Sequence, residues 1–264
     1  MNIEVAPAAA GARPRLLAAL GWRELFSPRY LAGAATHVAR LIRRDPVPRA
    51  ILVTLLAIDA TLMLLHWYRE LGLDSTYPIA FLDVAKLNMI RHDSYVTSVD
   101  LVKSAATAAF LVVAWIATRA VAYLSIGLAY AIVIVFGTTV FHVDLGVRIA
   151  RYTGLANLYP EMGDHMAEGV VLAIIGAVLL LLIALGVVRS RGIHSVFAVA
   201  MAVAIVALGF FAGGMDLFHA LIFFELQDYV HILAFVEEAG EALAQTTGCV
   251  FAVAIARRCA GRRP

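Results

Sequence analysis

Histidines and carboxylates recur in this sequence at intervals that a helix would bring onto one face. Glu161, His165 and Glu168 stand at i, i+4 and i+7, while Asp216 and His219, and again Asp228 and His231, are three apart. Such spacings stack side chains above one another on a helix. His231 aligns with Glu238 seven residues on, Glu237, Glu238 and Glu241 crowd together, and His142 with Asp144 adds a further pair. Imidazole nitrogen with carboxylate oxygen is the donor set of zinc, iron, copper and manganese sites. The pattern therefore predicts a transition metal or other cation held by residues drawn from His142, Asp144, His165, Glu168, Asp216, His219, His231, Glu238 and Glu241. Met162, Met166 and Met215 lie near these positions and would offer thioethers if the metal were copper. Two histidines on different helices would also hold a haem, the less favoured cofactor.

The same residues have plain structural uses. Glu161 and Asp164 follow Pro160 at a helix start, where acidic groups suit the dipole. Each Asp-x-x-His pair reads equally as an interfacial ion pair, and His142 to Asp144 as the end of a helix. No HExxH, Gly-rich phosphate loop or Ser elbow occurs, so hydrolysis of the usual kinds has no support. The two cysteines, Cys249 and Cys259, form no CxxC and read as unpaired thiols.

What must position these groups follows from composition. Of 264 residues, 62% are hydrophobic and 15% charged, and the mean hydropathy is +0.86. Ordinary soluble domains are roughly half apolar and about a quarter charged. The balance excludes a cytosolic enzyme, a secreted disulfide scaffold, a disordered chain and a nucleic-acid binder. It predicts an all-α, polytopic integral membrane protein. The first apolar run begins near Ala50, too far along for a cleaved signal peptide, so its first span is expected to serve as the anchor.

Spanning a bilayer takes about 20 mostly apolar residues. Six stretches qualify: 49–68, 99–118, 120–141, 166–188, 193–215 and 229–256. The second and third are parted only around Arg119 and should form a tight antiparallel hairpin. Lysine and arginine mark the cytoplasmic side of membrane proteins. An N-in/C-in arrangement places fifteen of the 21 on that side, including Arg119, Arg189, Arg191, Arg257 and Arg258, and six, Lys103 among them, on the other. Gly209 and Gly213 form a GxxxG that permits close helix contact, and Gly213-Gly214 would end or kink the fifth span.

Residues 1–46 are expected to stay on the cytoplasmic surface, with the six-helix bundle occupying 47–264. Short helices are predicted over 15–26 and 28–44, parted by Ser27 as cap and Pro28 as first helical residue. Leu31, Ala34, Ala35, Val38, Leu41 and Ile42 fall on one stripe of the second, with the arginines largely elsewhere. Such an amphipathic helix suits the headgroups of an anionic inner leaflet, or the docking of a cytoplasmic partner. The apolar patch over 79–90, in the loop after the first span, reads as an interfacial or re-entrant helix.

In this arrangement the histidines and carboxylates gather at the outer ends of the helices, while Glu237, Glu238 and Glu241 lie two to three turns inside the sixth span. Ionised groups at that depth face a polar interior or an ion path. The Glu238-Ala-Gly-Glu241-Ala stretch resembles the Glu-x-x-Glu core of the iron permease family over five residues. Glu237 stands where that family has arginine, and no second copy of the motif occurs, so the likeness is one of chemistry. Asp59 is the second intramembrane carboxylate, and Met63 and His66 continue its face outward. Asp59 and Glu237 are therefore expected to relay protons or cations, or else Asp59 is a buried acid bonded to a Ser or Thr of a neighbouring helix.

The expectation for function is an outer-side His/Asp/Glu pocket serving cation- or proton-coupled transport or membrane metalloenzyme chemistry. The alternatives are an accessory or assembly subunit of a larger membrane complex and a b-type haem protein. The lipid bilayer is the expected partner, with a homo-oligomer or complex partner beside it. A bacterial inner membrane is the expected location, on the Ala- and Arg-rich usage with only two lysines.

Overall fold

A computed structural model describes residues 27–73, 84–87, 94–139, 141–158, 163–215, 218 and 230–261. The described residues form helices and no strands. Helix α1 spans Pro28–Arg44, and its start follows the sequence: the Ser27 side chain accepts from the Tyr30 N–H at 3.3 Å and Pro28 opens the first turn. Asp45 closes α1 and opens α2, Pro46–Glu70, with its carboxylate accepting from the Val47 N–H at 3.0 Å. Its extended backbone is what a residue before proline prefers.

Helix α3, Tyr95–Thr118, is capped by Ser94, whose side chain accepts from the Thr97 N–H. It ends at Arg119, the one described non-glycine residue with positive φ, 57°. That left-handed residue reverses the chain directly into α4, Val121–Thr139, giving the expected hairpin. Helix α4 falls within the expected third span, 120–141. An amphipathic helical stretch, α5, covers Phe141–Thr153, and Asp144 lies in its first turn. Helix α6 spans Gly163–Arg189 and α7 spans Ile193–Gly209, the latter continuing into a π-turn over Phe210–Met215 where Gly213 and Gly214 sit. Helix α8, Val230–Ala260, is the longest.

Five of these are long and apolar enough to cross a membrane: α2, α3, most of α6, α7 with its π-turn, and most of α8. The protein is a multi-pass membrane protein. The apolar part of α4 described as Val121–Phe136 is shorter. Helix α8 is the hub, packing on α1, α2, α3, α7 and the π-turn. Its apolar window is 72% buried, against 11% for α2, which lies at the periphery.

Helix α2 runs opposite to α8, Asp45 meeting Arg257 and Asp59 meeting Thr246, while α3 runs parallel to α8, and the bundle has two distinct ends. At one end the Asp45 carboxylate meets the Arg257 guanidinium at 2.7 Å, joining the start of α2 to the end of α8. Arg49, Arg119, Arg189, Arg191 and Arg258 are exposed there too, as are Arg40, Arg43 and Arg44 of α1. The other end carries Glu237, Glu238 and Glu241 near the start of α8. Helix α1 departs from expectation. Its stripe of Ala34, Val38 and Ile42 is buried in the bundle core, against α7 and α8, rather than facing lipid. The small residues Ala198 and Ala200 at the start of α7 leave room for that approach, and the His37 and Phe197 rings lie 5.9 Å apart. The predicted helix over 15–26 lies outside the described residues, and of the patch over 79–90 only one 3-10 turn, Val84–Leu87, is described.

Candidate functional site

Charged side chains meet inside the apolar slab where α2, α3 and α8 pack together. Asp59 lies midway along α2, about 20 Å from its start at 1.5 Å per residue. Asp100 and Lys103 lie in the first half of α3, three residues apart and therefore on one face. The Lys103 ammonium donates to Asp59 Oδ1 at 2.5 Å, to Asp100 Oδ1 at 2.7 Å and to the Ala242 carbonyl of α8 at 3.4 Å. Its three N–H bonds thus have three acceptors. Side-chain exposure is 1% for Lys103, 3% for Asp59 and 8% for Asp100, so no bulk water screens the cluster.

A polar collar completes it. Thr246 of α8 donates its hydroxyl proton to Asp59 Oδ2 at 2.7 Å, and Ser104 donates to Gln245 Oε1 at 2.6 Å. Thr107 donates to the Lys103 carbonyl at 2.7 Å. All three helices supply groups at the same level, because Asp100, Lys103, Ser104 and Thr107 share one face of α3 and Ala242, Gln245 and Thr246 one face of α8. With both carboxylates ionised and the ammonium charged, the cluster bears one net negative charge. Taking up one proton makes it neutral.

Toward the acidic end the polar face continues. His66, seven residues beyond Asp59 on α2, is buried at 2% exposure and stacks on Phe235 of α8, centroids 6.1 Å apart. Glu237, Glu238 and Glu241 are half-buried on α8, and Glu238 lies within electrostatic reach of Asp100 and Glu237. Phe211, from the π-turn, packs on Gly240, where a Cβ would overlap its ring. The extra residue of the π-turn thus seats an aromatic ring one turn from the carboxylates; π-turns recur at functional sites.

Toward the arginine end, α4 contributes two fully buried tyrosines, Tyr123 and Tyr130. The Tyr123 hydroxyl lies 2.8 Å from His194 Nδ1 and 3.9 Å from the Cys259 sulfur. The Tyr130 hydroxyl rests against Gly248 of α8, in space that any larger residue would fill.

The predicted ligands are treated unevenly by this geometry. Asp59 is buried and bonded to a Thr of a neighbouring helix, Thr246, with the Lys103 ammonium as a second partner that the sequence reading did not name. Asp144 is exposed on α5, and Glu168 is half-buried on α6 where α5 crosses closely, Gly146 lying against the Glu168 backbone. Asp216 and His219 lie outside the described residues, as do the side chains of His142, His165 and His231. Among the described residues no group of three or more His, Cys, Asp or Glu is arranged to hold a metal ion.

Lys103 is where the sequence reading went astray. Counted with the water-exposed cations of the outer face, it is buried beside two carboxylates instead. The signal was present: Asp100-x-x-Lys103 lies at helical spacing inside an apolar run, with Asp59 in another. No protein-family model, curated protein or solved structure matches the chain, so the functional reading rests on the geometry of this cluster.

Proposed function

We propose that this protein moves protons, or a small cation in their place, across the membrane, and that the Asp59–Lys103–Asp100 cluster is the site that takes up the cargo. The observation that carries the reading is one ammonium shared by two carboxylates in the bilayer interior. Intramembrane ionisable groups are expensive and mark ion or proton pathways. A fixed apolar packing would have been cheaper, since a buried ion pair rarely stabilises more than hydrophobic residues of the same volume. Glu237, Glu238 and Glu241 form the acidic mouth, and Asp100 is the first cluster residue within electrostatic reach of it. A transition metal entering through the predicted outer histidines would be cargo, or a cofactor, of that same mouth.

In this reading α4 is the sixth span, its nineteen residues reaching about 28 Å at 1.5 Å each. Both termini then lie on the arginine-rich side, which faces the cytoplasm and an anionic leaflet of a bacterial inner membrane. The test is flux into liposomes that hold the protein and a trapped pH dye, driven by a potassium diffusion potential. Wild type should acidify or alkalise the lumen faster than empty liposomes, and Asp59→Asn should abolish the difference. Equal rates for wild type and Asp59→Asn would end the proposal.

A second reading, a subunit of a larger complex, has its own observation. Helices α2 and α3 both pack on α8 but barely touch each other. Between them lies an apolar groove of about 620 Å³ bordered by Ile51, Leu55, Leu62, Val99, Val102 and Phe110. A partner helix in that groove would favour the subunit role. Co-purification of a second membrane chain, lost on Val102→Trp, is its test.

A further inference from the structure

We propose that the cluster binds one monovalent cation of the sodium or potassium kind at Asp59, in the place that the Lys103 ammonium occupies. This names the cargo of the uptake step proposed above and rests on that reading. One ammonium serves two carboxylates, Asp59 at 2.5 Å and Asp100 at 2.7 Å, and no other described Lys or Arg pairs with either acid. With both acids ionised the cluster is one positive charge short, in surroundings where an unpaired charge is expensive. The deficit is a single charge, which sets the charge of the cargo.

The donors around Asp59 define the chemical class. Thr246 Oγ1 lies 2.7 Å from Asp59 Oδ2, and the Ala242 carbonyl lies 3.4 Å from the Lys103 nitrogen that bonds Asp59 Oδ1. Carboxylate, hydroxyl and carbonyl are oxygen donors, and these suit hard cations rather than thiolate- or imidazole-seeking metals. The position already holds a cation of the right charge, the ammonium itself. Lys103 also has a partner to fall back on. Asp100 stands three residues before it on the same face of α3 and is bonded to it through Oδ1, so that pair needs nothing from α2.

Two neutral states follow. In one, the cation sits on Asp59 and the ammonium on Asp100. In the other, the ammonium sits on Asp59 and a proton on Asp100. Asp59 is not the acid that takes the proton, because both its oxygens accept from donors already in place. The cluster therefore exchanges one positive charge for another; no bond to carbon changes and no electron is transferred. The titratable neighbours on the three helices are His66 of α2, Tyr95 of α3 and Glu237, Glu238, Glu241 and Cys249 of α8, so the exchange is best followed through the cation rather than through pH.

The test is equilibrium binding of radioactive sodium and rubidium to the full chain in lipid nanodiscs, with choline chloride holding the ionic strength constant. Wild type should bind one equivalent of sodium or rubidium, and Asp59→Asn should bind it about tenfold more weakly or worse. Lys103→Met removes the competing ammonium and should bind about tenfold more tightly or better. Should that variant not fold, wild type labelled at its lysine nitrogens supplies the same answer. Saturating cation should abolish the magnetic coupling of the Lys103 ammonium to the Asp59 carboxyl and keep the coupling to Asp100. No bound cation, binding that Asp59→Asn leaves unchanged, or a Lys103 that keeps both couplings overturns the inference. If proton flux still depends on Asp59 in that event, protons are the cargo and the reading above stands. Equal flux for wild type and Asp59→Asn ends that reading, even with a cation bound.

Discussion

Replacing Lys103 by methionine is the perturbation that exposes the ion cluster most clearly. Methionine fills the space of the lysine stem but takes away the ammonium that bridges Asp59 and Asp100 at 2.5 and 2.7 Å. Removing one partner of a buried ion pair costs about 3–5 kcal/mol, because the charge left behind has no counter-ion. Here two carboxylates are left, both more than nine-tenths buried, so the cost should lie toward the upper part of that range. In an Asp59→Asn, Asp100→Asn background the sign reverses. There Lys103 is itself the unpaired charge, and its removal should be neutral or stabilising by about 1–4 kcal/mol. Reversible unfolding in mixed detergent micelles measures both, and a double-mutant cycle isolates the coupling. A loss below about 1 kcal/mol in the parent protein, or the same loss in both backgrounds, would refute the reasoning behind these numbers.

Three further outcomes follow from particular contacts. Gly248→Ala drives a methyl into the Tyr130 hydroxyl and should cost about 1–3 kcal/mol of overpacking. Combined with Tyr130→Phe, the same substitution should recover most of that loss in a thermal melt. Thr246→Val removes the donor to Asp59 Oδ2 and should cost about 1–2 kcal/mol, near the top of what membrane-embedded hydrogen bonds yield. Burial, with Arg40 and Arg258 close by and the Phe197 ring packed on it, holds the His37 imidazole below its usual value of 6.5. The unfolded chain therefore takes up a proton more readily than the folded one as pH falls below 6.5, and stability is lost there. His37→Phe should flatten that decline in melting temperature measured between about pH 5 and 8.

The helices were readable because their signals are local. Ser27-Pro28 and Asp45-Pro46 fix two helix starts by capping chemistry alone, and the apolar runs fix where helices cross hydrocarbon. The hairpin at Arg119 was legible from the shortness of the polar break. What sequence could not reveal was partnership. The Ala34–Val38–Ile42 stripe of α1 has the pattern of a lipid-facing helix, and only the small residues of α7, distant in sequence, turn that stripe inward. Period alone does not distinguish lipid from protein as the apolar neighbour. Lys103 was assigned to the wrong environment for the same reason. A lysine near a helix end is normally drawn to water, and its retention in the interior depends on Asp59, which lies on another helix. The amphipathic α5, which follows the expected third span, has its cue in His142, Asp144 and Arg148. These make the stretch after Phe141 amphipathic rather than uniformly apolar.

The lysine count offers the most direct measurement. The chain has only Lys86 and Lys103, so nitrogen labelling of lysine side chains in a lipid bilayer should give two resolvable ammonium signals. Solid-state dipolar recoupling to labelled aspartate carboxyl carbons then reads which lysine touches an acid. One signal should couple to two different carboxyl carbons at contact distance, lose one coupling in Asp59→Asn and the other in Asp100→Asn, and vanish in Lys103→Met. A Lys103 signal with no short coupling to either aspartate, exchanging freely with water, would contradict the shared-ammonium cluster and the transport reading built on it.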